Sequence, residues 1–277
     1  MYDDWPRQMR RRLRKFLGFP ASHDVGILSR LLDPLREQVE ERLGRKVSLA
    51  IVTFPNLVAL YDEDIVDAMD YAGLTPLHTK FGGVGSQPHE ASTAYAGYGL
   101  GLCSNYTDWN QCDEEEKQRP LQQVLTILYT KTAFVLYRDM LRGAYGHYEP
   151  ENGSSNFNLR SNSTHNNPAD KYYWETMREQ ILRLMFKSPY GIKVSQVILL
   201  GESTLDAKFL RFVKSTLLEV QDELPEFFMS DSVYAAARGA AEFSIRSPYY
   251  FQPPPPSSTR AGSFAWEHQL PDKEIAL

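Results

Sequence analysis

Cysteine is nearly missing from this chain: 277 residues hold two, Cys103 and Cys112. Nine positions apart and without a second pair, they do not provide the four ligands of a structural zinc site, so no metal is expected. No apolar run reaches the 18 or more residues of a membrane span, which argues against an integral membrane protein. The sequons at Asn105, Asn152 and Asn162 have no apolar signal segment ahead of them. They read as chance, and the cysteines as free thiols in a cytoplasmic or nuclear setting. Surplus positive charge is absent too. Lys and Arg number 30 against 35 Asp and Glu, a net charge of -5, which argues against nucleic acid as a partner. Internal repeats are also missing.

What is present describes a globular chain, 42% hydrophobic and 12% aromatic, long enough for one large domain or two small ones. Residues 1–26 form a basic amphipathic segment in which Arg7, Arg10, Arg11, Arg12, Arg14 and Lys15 surround Leu13, Phe16 and Leu17. Such segments can touch acidic membranes, nucleic acid or import receptors, and a solvated helix or frayed tail is the plainer expectation. Residues 27–247 carry the core. Residues 248–277 contain Pro253 to Pro256 and no core pattern, so an extended and then disordered tail is expected.

Within the core, Asp33-Pro34 reads as an N-cap and first helical position, opening a helix to Leu43 that buries Leu35, Val39 and Leu43 and stops at Gly44. Val47 to Phe54 is a β run stopped by Pro55. A helix from Tyr61 to Ala72 follows, with Asp62, Glu63 and Asp64 as electrostatic capping in its first turn. Gly82-Gly83-Val84-Gly85 lacks the Lys-Ser/Thr of a phosphate loop and reads as a surface loop. Glu90 to Leu102 is a small-residue helix suited to close packing. Asp113 to Glu116 reads as a solvated turn, and Val124 to Leu128 with Ala133 to Tyr137 as a hairpin. Residues 143–168 are too polar to bury and read as a mobile loop, with His147 and His165 given no ligand role. Tyr172 to Phe186 and Ser232 to Ile245 are helical.

The stretch Gln196 to Val213 organises the rest. Val197 to Leu200 are strand formers, Gly201 permits a sharp turn, and Ser203 and Thr204 precede helical spacing through Phe209 and Val213. Amides at such a turn can meet an anion or a polar ring, or the turn is capped by its own hydroxyls.

Taken in order, Val52-Thr53-Phe54-Pro55, then Glu90 through Tyr98-Gly99-Leu100, then Leu200 to Lys208 and Arg238-Gly239-Ala240-Ala241 resemble the actin-like ATPase superfamily. The likeness is to the nucleotide-binding domain of the seventy-kilodalton heat-shock chaperones. It spans about Leu31 to Ile245 and implies an α/β fold with an actin-like, ribonuclease H-like core: a second lobe plus a remnant of the first. It also implies ATP or ADP as the cofactor, with Gly201 and Ser203 as the adenosine turn. The departures are as informative. The glycine-rich first phosphate hairpin has no counterpart, and the second falls on Leu128 to Ala133, where its carboxylate and glycines are replaced. In the adenosine motif Glu202 stands for a glycine and Leu205 for the arginine that stacks on adenine.

Phosphoryl transfer needs metal, lysine and backbone amides set around phosphate, and this set is incomplete here. The expectation is a non-catalytic scaffold for a protein partner, with weak or no adenine-nucleotide binding. The alternatives are a working ATPase whose missing hairpin lies outside this chain, and a tether to membrane or nucleic acid through the basic segment.

Overall fold

The computed structural model describes residues 5–55, 57, 60–77, 88–145, 153–163, 169–187 and 193–250. The glycine loop at Gly82 to Gly85, His147, His165, Asn152 and the proline-rich tail beyond 250 lie outside the described residues. What is described is a mixed α/β protein with eight helices.

Its centre is a five-stranded sheet in the order β5-β4-β3-β6-β7, with β3 (Gln122–Tyr129), β4 (Phe134–Leu141), β5 (Gly153–Asn156), β6 (Gln196–Leu200) and β7 (Glu226–Phe228). β3, β4 and β5 run antiparallel in turn, while β6 pairs parallel to β3 and β7 parallel to β6. The run Val124-Leu125-Thr126-Ile127 is buried on both faces, as expected of a central strand covered by two helical layers.

Each parallel step is bridged by a helix, α6 (Ala169–Lys187) before β6 and α7 (Ala207–Leu218) before β7. These two cover one face, where Met177, Ile181, Met185, Phe209, Val213 and Leu217 close over Leu125, Ile127, Phe134, Leu136, Val197 and Leu199. The other face carries α4 (Glu90–Gly97) and α8 (Ala235–Tyr250), packed on Val124, Ile198 and Leu200. α4 and α8 meet backbone to backbone: a Cβ on Gly97 would stand 1.9 Å from the Ala235 carbonyl oxygen, and one on Gly239 1.6 Å from that of Thr93. The small-residue composition of both segments is what permits this approach.

A second unit precedes the sheet. Its helices are α1 (Trp5–Phe16), α2 (His23–Leu43) and α3 (Asp62–Tyr71), with a short parallel pair of β1 (Leu49–Ala50) and β2 (Thr75–Pro76). Ile65, Met69 and Leu74 pack against Leu28 and Leu32 of α2. α5 (Trp109–Gln118) lies between α4 and β3 in the chain.

Several sequence expectations are corrected. α2 starts ten residues before Asp33, capped by Ser22, and Pro34 sits inside it. Leu35, Val39 and Leu43 are exposed rather than buried, because α2 turns Val25, Leu28 and Leu32 to α3 instead. Only Leu49–Ala50 of the Val47 to Phe54 run forms a strand, with Phe54 making an isolated bridge to His89. Asp113 to Glu116 lie within α5, capped by Asp108. Residues 153–163 are no mobile loop: Gly153–Asn156 pair with β4, where backbone hydrogen bonds replace the missing apolar side chains, and Leu159 enters the core. α8 continues through Pro248 to Tyr250.

Cys103 and Cys112 are joined in a disulfide, not free; Asp108 starts α5 within the loop they close and brings the two Cα atoms to 5.2 Å. No described helix is long and apolar enough to cross a membrane.

Candidate functional site

β6 ends at Leu200 because Gly201 takes φ 96°, a conformation in which a Cβ would meet the Tyr129 carbonyl oxygen at 2.5 Å. The turn is then fastened on all sides. The Gly201 amide donates to Ser232 O (3.2 Å), and the Gly201 carbonyl accepts from Thr204 Oγ1 (2.8 Å) and Ser232 Oγ (3.0 Å). The Ser203 amide donates to Tyr129 O at 3.2 Å, tying the turn to the end of β3.

Beside this turn opens a cleft of about 380 Å³ lined by Tyr129, Ser161, Asn162, Trp174, Glu202, Ser203, Asp206 and Lys208. Ser203, one of the two residues expected at the adenosine turn, faces it; Gly201 shapes it from behind. Ser161, from the stretch read as a loop, meets Ser203 hydroxyl to hydroxyl at 2.8 Å, and its amide donates to Thr130 O at 3.0 Å. Trp174 of α6 forms an aromatic wall, with the Lys208 ammonium 5.0 Å from its ring centroid, within cation–π range. Under the cleft Tyr129 stacks on Phe209 at 4.3 Å, and the Tyr129 hydroxyl lies 3.1 Å from that of Tyr173.

Several amides that could meet an anion here already have partners within the chain. Asp206 is the N-cap of α7: its Oδ1 accepts from the Lys208 amide (2.7 Å) and the Phe209 amide (2.9 Å). Of the two readings of the turn, open amides or self-capping, this agrees with the capped one, with the Asp206 carboxylate rather than a hydroxyl meeting the first turn of the helix at Ala207. In the β3–β4 turn, Thr130 Oγ1 accepts from the amides of Thr132 (3.2 Å) and Ala133 (3.0 Å), and the Lys131 amide donates to Glu202 Oε1 at 2.9 Å. Among the described residues lining the cleft, Glu202 and Asp206 set two carboxylates against the ammonium of Lys208. Incoming phosphate would meet these occupied amides and two carboxylates.

Asp206 carried a legible signal, an acidic residue directly ahead of Ala-Lys-Phe-Leu helical spacing. Trp174 could have been found as the exposed-edge neighbour of the core positions Tyr173 and Met177. Ser161 and Asn162 had no local signal.

Two carboxyls, the buried Asp139 and the half-buried Glu90, lie away from the cleft lining. Burial pushes Asp139 up to about 7, with its Oδ2 lacking a hydrogen-bond partner among the described residues, and pushes Glu90, at the head of α4, to about 7 as well. A smaller pocket of about 30 Å³, room for a single water, lies by the disulfide between Tyr106, Trp109, Tyr145 and Tyr249. Among the described residues no group of three or more His, Cys, Asp or Glu is gathered that could hold a metal ion.

Comparison with protein-family models finds none that matches, and comparison with curated protein sequences finds no match either.

Proposed function

We propose that this chain is an interaction scaffold built on a degenerate actin-like core, without phosphoryl-transfer activity and with at most weak affinity for adenosine. The arrangement of three antiparallel strands extended by two helix-bridged parallel strands supports the core assignment. The carrying observation is the hydrogen bond from the Lys131 amide to Glu202. The amide that would cradle a phosphate holds the chain's own carboxylate, and the neighbouring amides hold Thr130. Trp174 offers an apolar platform for a ring, so whatever affinity the cleft retains comes from stacking and not from charge.

The partner is a protein, and the setting cytoplasmic or nuclear; the Cys103–Cys112 disulfide pulls the other way, since disulfides persist in oxidising compartments. Calorimetric titration with adenosine, ADP and ATP, each with and without magnesium, tests the reading. Equal, weak and magnesium-independent binding is expected. A tenfold preference for ATP that needs magnesium would overturn it and favour an ATPase completed by residues outside this chain.

A further inference from the structure

The basic helix α1 is attached the opposite way round from an ordinary surface helix. At 3.6 residues per turn its polar face carries Arg7, Arg11 and Lys15, and this face is turned inward onto α3. Arg7 pairs with Glu63 (2.9 Å) and Asp64 (3.2 Å), Arg11 with Glu63 and Asp67, and Lys15 with Asp67 (2.8 Å) and Asp70 (3.0 Å). Arg11 is buried in the process. The acidic face of α3 formed by Glu63, Asp64, Asp67 and Asp70 is the receptor for this helix, beyond the capping role read from sequence for its first turn.

The consequence falls on the opposite face. Trp5, Met9, Leu13 and Phe16 lie within about 80° of one another on the helical wheel, with Leu17 just beyond the helix end. All five are exposed, Trp5 at 64% and Phe16 at 86%. Folding alone would place such a stripe inside and the arginines outside. Four ion-paired acids instead fix it outward, leaving Arg10 and Arg12 along its two borders without an ion pair among the described residues.

We propose that this outward face of α1 docks on an anionic lipid surface. Tryptophan and phenylalanine immersed at the level of the acyl boundary, flanked on both sides by arginines that reach lipid phosphates, are the arrangement of a helix lying in a membrane interface. The charge borders decide between occupants. An anionic bilayer supplies phosphates along both borders at once, whereas a second copy of this chain, net negative but presenting the same arginine-bordered stripe, would set like charges together. α2 also exposes Ile27, Leu31, Leu35 and Val39, on a helix that carries Glu37 and Glu41 as well.

The test is co-sedimentation of the full chain with phosphatidylcholine vesicles, with and without about 30% phosphatidylserine, alongside light scattering without lipid. Wild type should pellet with the anionic vesicles only. Phe16→Glu should abolish binding, and Arg10→Ala with Arg12→Ala should weaken it about 30-fold, two residues at the usual worth of a basic group near such a surface. Because these side chains are exposed, the thermal midpoints of the variants should match wild type. Wild type remaining in solution with anionic vesicles would overturn the proposal, as would binding that is indifferent to the two arginines. A dimer that Phe16→Glu dissociates, with no vesicle binding, would assign the face to a second copy instead.

Discussion

Glu202 Oε1 accepts a hydrogen bond from the Lys131 amide at 2.9 Å, across 71 residues of sequence, and so holds the β3–β4 turn against the Gly201 turn. Both residues are exposed, so the bond itself is worth only about 0.5–1.5 kcal/mol. Its larger effect is electrostatic, because it fixes a negative charge at the mouth of the cleft. Glu202→Ala should lower the thermal midpoint by no more than about 3 °C while raising ADP affinity roughly fivefold, the worth of one unit charge about 4 Å away in water. Glu202→Gln, which keeps an acceptor, should raise affinity without moving the midpoint. Thermal-shift assays of the two variants with and without ADP measure both effects; unchanged affinity in both would mean that the carboxylate does not guard the cleft.

Gly201 cannot be replaced without moving the end of β3. Any Cβ there meets the Tyr129 carbonyl oxygen at 2.5 Å and the Thr130 methyl carbon at 2.9 Å, at a φ of 96° that side chains rarely adopt. Gly201→Ala should cost about 3 kcal/mol and Gly201→Val more. Urea unfolding provides the check, and a midpoint equal to wild type for Gly201→Val would contradict the turn geometry.

Asp139 gives the fold a dependence on pH whose sign can be worked out. On β4 it alternates with Arg138 and, like Tyr137, turns to the α4 and α8 side, where it is 3% exposed and burial lifts its carboxyl to about 7. Between the unfolded value near 4 and about 7 the folded state holds a proton that the unfolded state has released. This contribution is therefore fully present below about pH 4 and is lost as pH rises to about 7. The loss is on the order of 4 kcal/mol for the single group. Asp139→Asn should remove that slope and be more stable than wild type at pH 8. Denaturation midpoints from pH 4.5 to 8 decide the matter; parallel curves for the two proteins would show that Asp139 is not the source.

The disulfide closes a loop of about ten residues, for which loop-closure entropy predicts about 2.5 kcal/mol. Cys103→Ser with Cys112→Ser should lose roughly this much and match wild type treated with reductant. Mass spectrometry after alkylation without reduction should find neither thiol labelled. Full labelling of both in the oxidised, folded protein would refute the pairing.

How much of this was legible in the sequence follows from the range of each interaction. Val124 to Leu128, Ala133 to Tyr137 and Val197 to Leu200 announced strands because their β-branched and aromatic runs are local. The turn at Gly201 and the close approach of the two small-residue helices were legible for the same reason. The candidate site was only half visible: Gly201 and Ser203 carried a motif, but Ser161 joins Ser203 from 42 positions away. Nothing in Arg160-Ser161-Asn162 distinguishes a cleft wall from a loop.

The sequence by itself determined the hairpin strands β3 and β4, the strand β6 and most of the helices, since hydrophobic period, proline and glycine act within a few residues; it did not mark α5, β5 or β7. Only the tertiary structure decided which way those segments face. The periodicity of α1 and α2 shows that each has an apolar side without saying what covers it. Gly153–Asn156 become a strand because the free edge of β4 offers backbone partners to almost any sequence. The oxidation of Cys103 and Cys112 depends on a helix start that brings them together, and the chemistry of the cleft turns on where Glu202 and Asp206 direct their carboxylates. Each of these outcomes is set by pairing between residues far apart in the chain, where charge, geometry and burial act and local sequence preference does not reach.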